Sequence, residues 1–330
     1  MTITSGPTAE TSAGEAGAAT FSDLFGAVTA NMERVIQGKP EVVELAVICL
    51  LAEGHLLLED VPGVGKTSLA KALAASINCT WKRVQFTPDV LPSDIVGVTV
   101  WNRGTDAFEF KPGPVFANIV LGDEINRASP KTQSSLLEAM EEAQVTVDGQ
   151  SYRLAQPFMV IATQNPIEQE GTYPLPESQL DRFLMRVSLG YPSRQASIEI
   201  LDTHATAGTL AELQPVVTAA QVRGMVNAVR SVHVAPALKG YLVDIAEASR
   251  RHRSVALGMS PRATLALLRA ARARAAAAGR TFVTPDDIKA LAEPVLSHRL
   301  GLGADTQLAG TGSNQVIADI VASVPVPQAR

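Results

Sequence analysis

The stretch HLLLEDVPGVGKTSLAKAL, residues 55–73, decides the fold. Its opening, HLLLED (55–60), is a short continuous apolar run, which fits a strand buried on both faces of a parallel sheet. Residues 66–77 have helical spacing. Between them lies Asp60-Val61-Pro62-Gly63-Val64-Gly65-Lys66-Thr67. Strand, Gly-rich loop and helix together are the context that a phosphate-binding loop requires. Backbone N–H groups of such a loop point inward and cradle phosphate oxygens. Gly63 and Gly65 allow the close approach and the unusual φ values this needs. Lys66 would reach the β and γ phosphates of ATP, and the Thr67 hydroxyl would ligate Mg²⁺. Pro62, Val64 and Ser68 complete the expected nucleotide contacts. The first position departs from the strict pattern, being Asp60 rather than Gly. Asp tolerates positive φ better than most residues, so the loop geometry is expected to survive. The competing reading is a Gly-rich turn that binds nothing; the flanking strand and helix argue against it.

Outward from this loop the pattern repeats. WKRVQF (81–86), NIVLGD (118–123), FMVIAT (158–163) and RVSLGY (186–191) read as further strands, with a helix at about 130–143. Strands alternating with helices imply a doubly wound α/β layer, here a parallel five-stranded sheet. Two helices, at 21–37 and about 40–53, precede it. Two inserts interrupt it. TVWNRGTDAFEF (99–110) has strand-like ends around a polar turn, and VTVDGQSYRL (145–154) carries Asp148-Gly149, a hairpin signal. After Pro192 strand signals vanish, and about five helical patterns fill 193–300. We therefore expect a disordered leader over 1–20, an α/β core over 21–191, a helical lid over 192–302, and a tail or late-docking segment over 303–330.

Composition narrows the class. Of the 330 residues, 46% are hydrophobic and 18% charged, an ordinary globular balance that can bury a core. The net charge of −5 carries no basic footprint for nucleic acid. Residues 1–20 lack the basic start and apolar run of a signal peptide. The longest apolar run, 46–52, is too short to cross a bilayer. Cys49 and Cys79 read as reduced core residues, which suits the cytoplasm. The five histidines have no zinc spacing.

A second chemical element is VLGDE (120–124), an apolar strand ending in two acids. Asp123 would hold Mg²⁺ through water, and Glu124 would polarise the attacking water as general base. Alone it also reads as an acidic helix cap; behind a phosphate loop it favours an ATPase over a small-molecule kinase. Asn165 ends the strand FMVIATQN, where polar side chains face nucleotide in open α/β sheets. By local sequence alone the reading as a turn residue before Pro166 is the favoured one. Arg182, in QLDRF, and Arg262, in MSPRATL, suit transition-state charge stabilisation, although spacing alone leaves them as surface or capping arginines.

EDVPGVGKT, LGDEINRASPKTQSSLLEAMEE, IATQNPIEQEGTYPLPESQLDRF and MSPRA together resemble the MoxR-type AAA+ ATPases, over about 21–300. Ser178 stands where that family often has Ala. The resemblance implies an AAA+ core with a helical lid, assembled as a hexamer with nucleotide at the subunit junctions. It makes Asn165 the first sensor, Arg262 the second, and Arg182 the finger acting on a neighbour's ATP, with Arg127 an alternative trans-acting residue. It matches Val35-Ile36-Gln37-Gly38 to the adenine-contacting entry, through Ile36 and Gly38. It matches the two inserts to hairpins that face the pore and move with nucleotide state. It also implies chaperone-like remodelling or maturation of protein complexes, sometimes with metal cofactor insertion, and partners carrying a von Willebrand factor A domain. Two other functions stay open: a nucleotide-gated scaffold with little turnover, and a DNA motor, which the scarcity of basic residues in the hairpins (Arg103 and Arg153) argues against.

Overall fold

The computed structural model describes residues 20–61, 63–165, 172–204, 210 and 212–327. The expected leader, apart from Thr20, and the loop residue Pro62 lie outside them. Helix α1 (Phe21–Glu33) starts at a capping box. The Thr20 hydroxyl accepts from the Asp23 N–H, and the Asp23 carboxylate accepts from the Thr20 N–H. Helix α2 (Pro40–Leu51) has Pro at its first turn, where no donor is lost.

Five parallel strands follow: β1 (Leu56–Glu59), β2 (Trp81–Gln85), β3 (Ile119–Asp123), β4 (Met159–Gln164) and β5 (Met185–Val187). They lie in the order β5-β1-β4-β3-β2. Alternate residues serve opposite layers, because successive side chains in a strand point to opposite faces. Leu56, Leu58, Ile119, Leu121 and Ile161 face one core, with α1, α2 and α3 (Lys66–Ser76). Leu57, Val120, Val160 and Phe183 face a second core with α4 (Pro130–Glu142). This two-sided burial explains why β1, β3 and β4 read as unbroken apolar runs, whereas the edge strand β2 is mostly exposed. Two antiparallel hairpins project from the layer, Gly97–Asn102 with Ala107–Pro112 and Gln144–Val147 with Gln150–Arg153. At the second turn Asp148 and Gly149 both have positive φ, 51° and 78°, as a two-residue turn of that hand requires.

The helical part comprises α5 (Arg194–His204), α6 (Ala219–Ser231), α7 (Pro236–Arg251), α8 (Pro261–Ala277) and α9 (Pro285–Leu296). The Ala-rich α8 packs on α1, α2, α6 and α9, so its small side chains are buried nearly all round. Gly279, with φ +70°, follows its end. The first core runs without a break from α1–α3 into these helices.

Two expectations are corrected. RVSLGY is a strand only through Val187; residues 188–190 turn away to meet the phosphate loop. Strand pairing continues beyond Pro192, since Val217–Thr218 pairs with Ile77–Asn78 and Val255–Leu257 pairs with Gly301–Leu302. The stretch from 303, expected as a tail or a late-docking segment, carries a further docked helix. Helix α10 (Ser313–Ser323) buries Val316, Ile317 and Ile320 against α7 and α9; its apolar spacing is confined to a single helix and is easily missed.

His55, just before β1, ties three elements together. The Val160 N–H donates to its Nδ1 at 3.0 Å, so Nε2 carries the proton and donates to the Met140 carbonyl at 2.9 Å. Full burial pushes its pKa down to about 4. The unfolded chain therefore binds the extra proton first, and stability falls as pH drops from about 6.5 towards 4. The expected loss is about 3 kcal/mol. Denaturant titrations of wild type and His55→Gln should show a flatter pH slope in the variant over that window.

Candidate functional site

The loop after β1 closes onto the start of α3. Gly63 and Gly65 have φ of +85° and +99°, values that strain any side-chain-bearing residue. Asp60 does something other than expected. It is absent from the positive-φ residues, so tolerance of that conformation is not its role. Its buried carboxylate accepts from the Val61 N–H at 2.9 Å, the Ser188 hydroxyl at 2.9 Å and the Gly190 N–H at 2.6 Å. Burial alone would raise its pKa; these donors outweigh it and hold the carboxyl below its usual range. Asp60 thus pins the phosphate loop to the turn after β5. Lys66 Nζ donates to the Asp60 carbonyl at 2.6 Å.

Ile36 is buried and Gly38 has φ +70°. A Cβ at Gly38 would meet the Ala196 Cβ at 2.7 Å, and Lys39 donates to the Tyr191 carbonyl at 2.9 Å. The 36–39 entry therefore lies against the start of the helical part. Its closeness to 190–196 is a tertiary fact with no local signal.

Strand β3 brings Asp123 to the same sheet edge as the loop. Thr67 Oγ1 lies 3.4 Å from Asp123 Oδ2, and Thr163 Oγ1 donates to Asp123 Oδ1 at 2.9 Å. Arg83 on β2 reaches the same Oδ2 through Nε at 2.8 Å and Nη2 at 2.7 Å. Glu124 has φ +57°, a strained value for a residue that is not Gly. Its N–H donates to Thr163 Oγ1 at 3.0 Å. Its carboxylate accepts from Gln85 Nε2 at 2.9 Å and pairs with Arg127 Nε at 3.1 Å. Arg127 thus holds Glu124 of its own subunit. Asn165 is buried at the end of β4, two residues after Thr163.

The structure therefore gathers Lys66, Thr67, Ser68, Asp123, Glu124 and Asn165 around the C-terminal edge of the sheet, with Gly63, Val64 and Gly65. Arg182 and Arg262 lie elsewhere. Each meets the same carboxylate, Glu141 near the end of α4: Arg182 Nη2 to Oε2 at 3.2 Å and Arg262 Nη2 to Oε1 at 2.5 Å. Arg182 precedes β5, and the Leu184 N–H donates to the His55 carbonyl at 2.8 Å. Met140, beside Glu141, also bonds His55. Both arginines thus sit at the N-terminal edge of the sheet, roughly 16 Å along β1 from the phosphate loop at about 3.3 Å per residue.

Sequence reasoning missed Arg83, Gln85, Thr163, Ser188, Glu141 and Arg299. The first two had a signal. In WKRVQF they are spaced by two and share one strand face, a polar pair beside the strand that ends in Asp123-Glu124. The others are polar residues with ordinary local readings.

A phosphate-cradling loop after β1, an acid pair at the end of β3, one strand beyond β4, and a β5-β1-β4-β3-β2 sheet with helices behind define the AAA+ α/β fold with a helical lid. The family model for the ATPase family associated with various cellular activities (AAA) matches residues 55–185, and the AAA lid domain model matches 247–320. The chain is 48% identical to the uncharacterised YeaC of Bacillus subtilis, over 93% of this chain and 96% of that protein. It is 39% identical to the chaperone MoxR1 of Mycobacterium tuberculosis, over 90% of this chain and 81% of that one. The crystal structure of a Cytophaga hutchinsonii protein described as a candidate ATPase superposes with a TM-score of 0.87 at 36% identity, over 93% and 96% of the two chains. This chain belongs to the MoxR family of AAA+ ATPases.

Proposed function

We propose that the chain hydrolyses ATP and uses the cycle to remodel or mature other protein complexes, metal cofactor insertion included. The observation that carries the reading is the convergence of Lys66 and Thr67 with Asp123 and Glu124 at one sheet edge. Loop N–H groups and Lys66 bind the triphosphate, and Ile36 and Gly38 border the base. Thr67 and Asp123 offer hard oxygen donors of the kind Mg²⁺ takes, and a bound ion would neutralise phosphate charge. Glu124 draws the proton from the attacking water, and Asn165 orients that water. Arg182 and Arg262 cannot reach their own subunit's phosphates from the far edge, which supports a site finished by a neighbouring subunit and a ring assembly, here a hexamer.

The protein-remodelling part draws on the first hairpin. Trp101 and Phe108 pack edge-on at 5.0 Å yet remain 49% and 73% exposed. Phe110 stacks on Tyr152 of the second hairpin at 4.2 Å, joining the two into one projecting surface. Exposed apolar groups rimmed by few cations suit a polypeptide better than a nucleic acid. A von Willebrand factor A domain protein is the proposed partner class. Free cysteines suit the cytoplasm, and among the described residues no helix is long and apolar enough to cross a membrane.

Two measurements test this reading. Lys66→Ala should weaken binding of a fluorescent ATP analogue at least tenfold, since one charge-assisted contact is worth about 1.5–3 kcal/mol. Proteins retained by Glu124→Gln oligomers in ATP, but not by Lys66→Ala, would be the clients. Equal retention by both variants would remove the remodelling reading.

A further inference from the structure

Glu141 is used by neither the phosphate loop nor the acid pair, yet it occupies a singular place. Two arginines from different parts of the fold, Arg182 before β5 and Arg262 in the first turn of α8, end on its two oxygens. Two guanidinium groups brought this close repel each other without an anion between them. Each uses one Nη2 on Glu141, and a guanidinium carries five N–H donors, so both keep donors for a further anion. The ion pairs are half-exposed, with Glu141 at 36% and Arg262 at 43%, so they add little stability. Their consequence is geometric.

The surroundings hold this arrangement firmly. His55 anchors the segments bearing Glu141 and Arg182, through Met140 and Leu184. Behind the Arg182 turn sits Arg299, only 3% exposed, just past α9. It donates to the carbonyls of Asp181 at 3.1 Å and Phe183 at 2.6 Å, on either side of Arg182, and pairs with the Asp181 carboxylate at 3.3 Å. The backbone bearing Arg182 is thus gripped by the helical part, and its side chain is linked to that part again through Glu141 and Arg262.

We propose that Glu141 is a positioning residue: it holds Arg182 and Arg262 as one preorganised pair, so that both meet the same phosphate of a neighbouring subunit's ATP. This rests on the trans-arginine reading above. Losing preorganisation lowers kcat, by up to about 10²-fold for a misplacement of about 1 Å. ATP affinity at the subunit's own loop stays unchanged, because Glu141 lies at the opposite sheet edge.

The test measures ATP turnover of assembled wild type, Glu141→Ala, Arg182→Ala, Arg262→Ala and the double Glu141→Ala/Arg182→Ala. Nucleotide binding and thermal unfolding act as controls for folding. Glu141→Ala should lose about tenfold or more in kcat with normal binding and unfolding. The double variant should lose less than the product of the two single losses, since residues acting as a unit are not additive. Mixed with Lys66→Ala subunits, Glu141→Ala should exceed the weighted mean of the two. A Glu141→Ala enzyme within twofold of wild type, beside a crippled Arg182→Ala, would overturn the role of Glu141 alone, as would additive losses in the double variant. Normal turnover by Arg182→Ala would overturn the arginine reading and this one with it.

Discussion

Glu124→Gln is expected to reduce kcat for ATP by about 10²–10⁴-fold while leaving ATP binding within about twofold. At 1.36 kcal/mol per tenfold this is about 3–5 kcal/mol of transition-state stabilisation. The substitution keeps the side chain's size and removes its basicity, so an amide cannot take the proton from water. Binding survives because the phosphate cradle is built from loop backbone, Lys66 and Thr67, none of which touches the Glu124 carboxylate. In this structure that carboxylate is engaged by Gln85 and Arg127. A catalytic cycle has to release it towards the γ phosphate, so Gln85→Ala should change turnover more than binding. Single-turnover measurements on the assembled oligomer check the main expectation. Wild-type rates in Glu124→Gln would place the base elsewhere.

Arg182→Ala should cost about 10³–10⁵ in kcat, the range for a trans-acting arginine that stabilises charge on a transferring phosphoryl group. That corresponds to about 4–7 kcal/mol. The geometry gives the prediction its form. Arg182 lies at the N-terminal edge of the sheet, beside His55, while Lys66 lies beyond its C-terminal edge. No side chain spans that distance within one subunit. Mixing Lys66→Ala subunits with Arg182→Ala subunits should therefore create some junctions with an intact loop on one side and an intact arginine on the other. Activity should rise above the weighted mean of the two variants. Activity at that mean, with both variants assembled, would remove Arg182 from the neighbour's site. Arg262→Ala belongs in the same experiment, because its guanidinium shares Glu141 with Arg182.

The site was only partly legible before folding. Loop, acid pair and Asn165 follow one another along strands and their ends, where spacing and residue type carry chemical meaning. Asp60 shows the limit. It stood out as a departure from the strict loop pattern, but its function appears only when the turn at Ser188 and Gly190 arrives to donate to it. Arg127, a candidate for reaching across a junction, also pairs with Glu124 three positions away in its own subunit.

Sequence by itself determined the buried parallel strands, the Gly-rich loop between Asp60 and Thr67 and the two hairpins. Each is encoded locally, by apolar periodicity, by Gly where backbone needs it and by turn residues. Only the tertiary structure decided that Arg182 and Arg262 share one carboxylate at the sheet edge opposite the loop, and that Arg83 and Gln85 hold the acid pair. Those relations join residues far apart in the chain, and pairing at such separations is set by strand order and helix packing, which leave no periodic mark in the sequence.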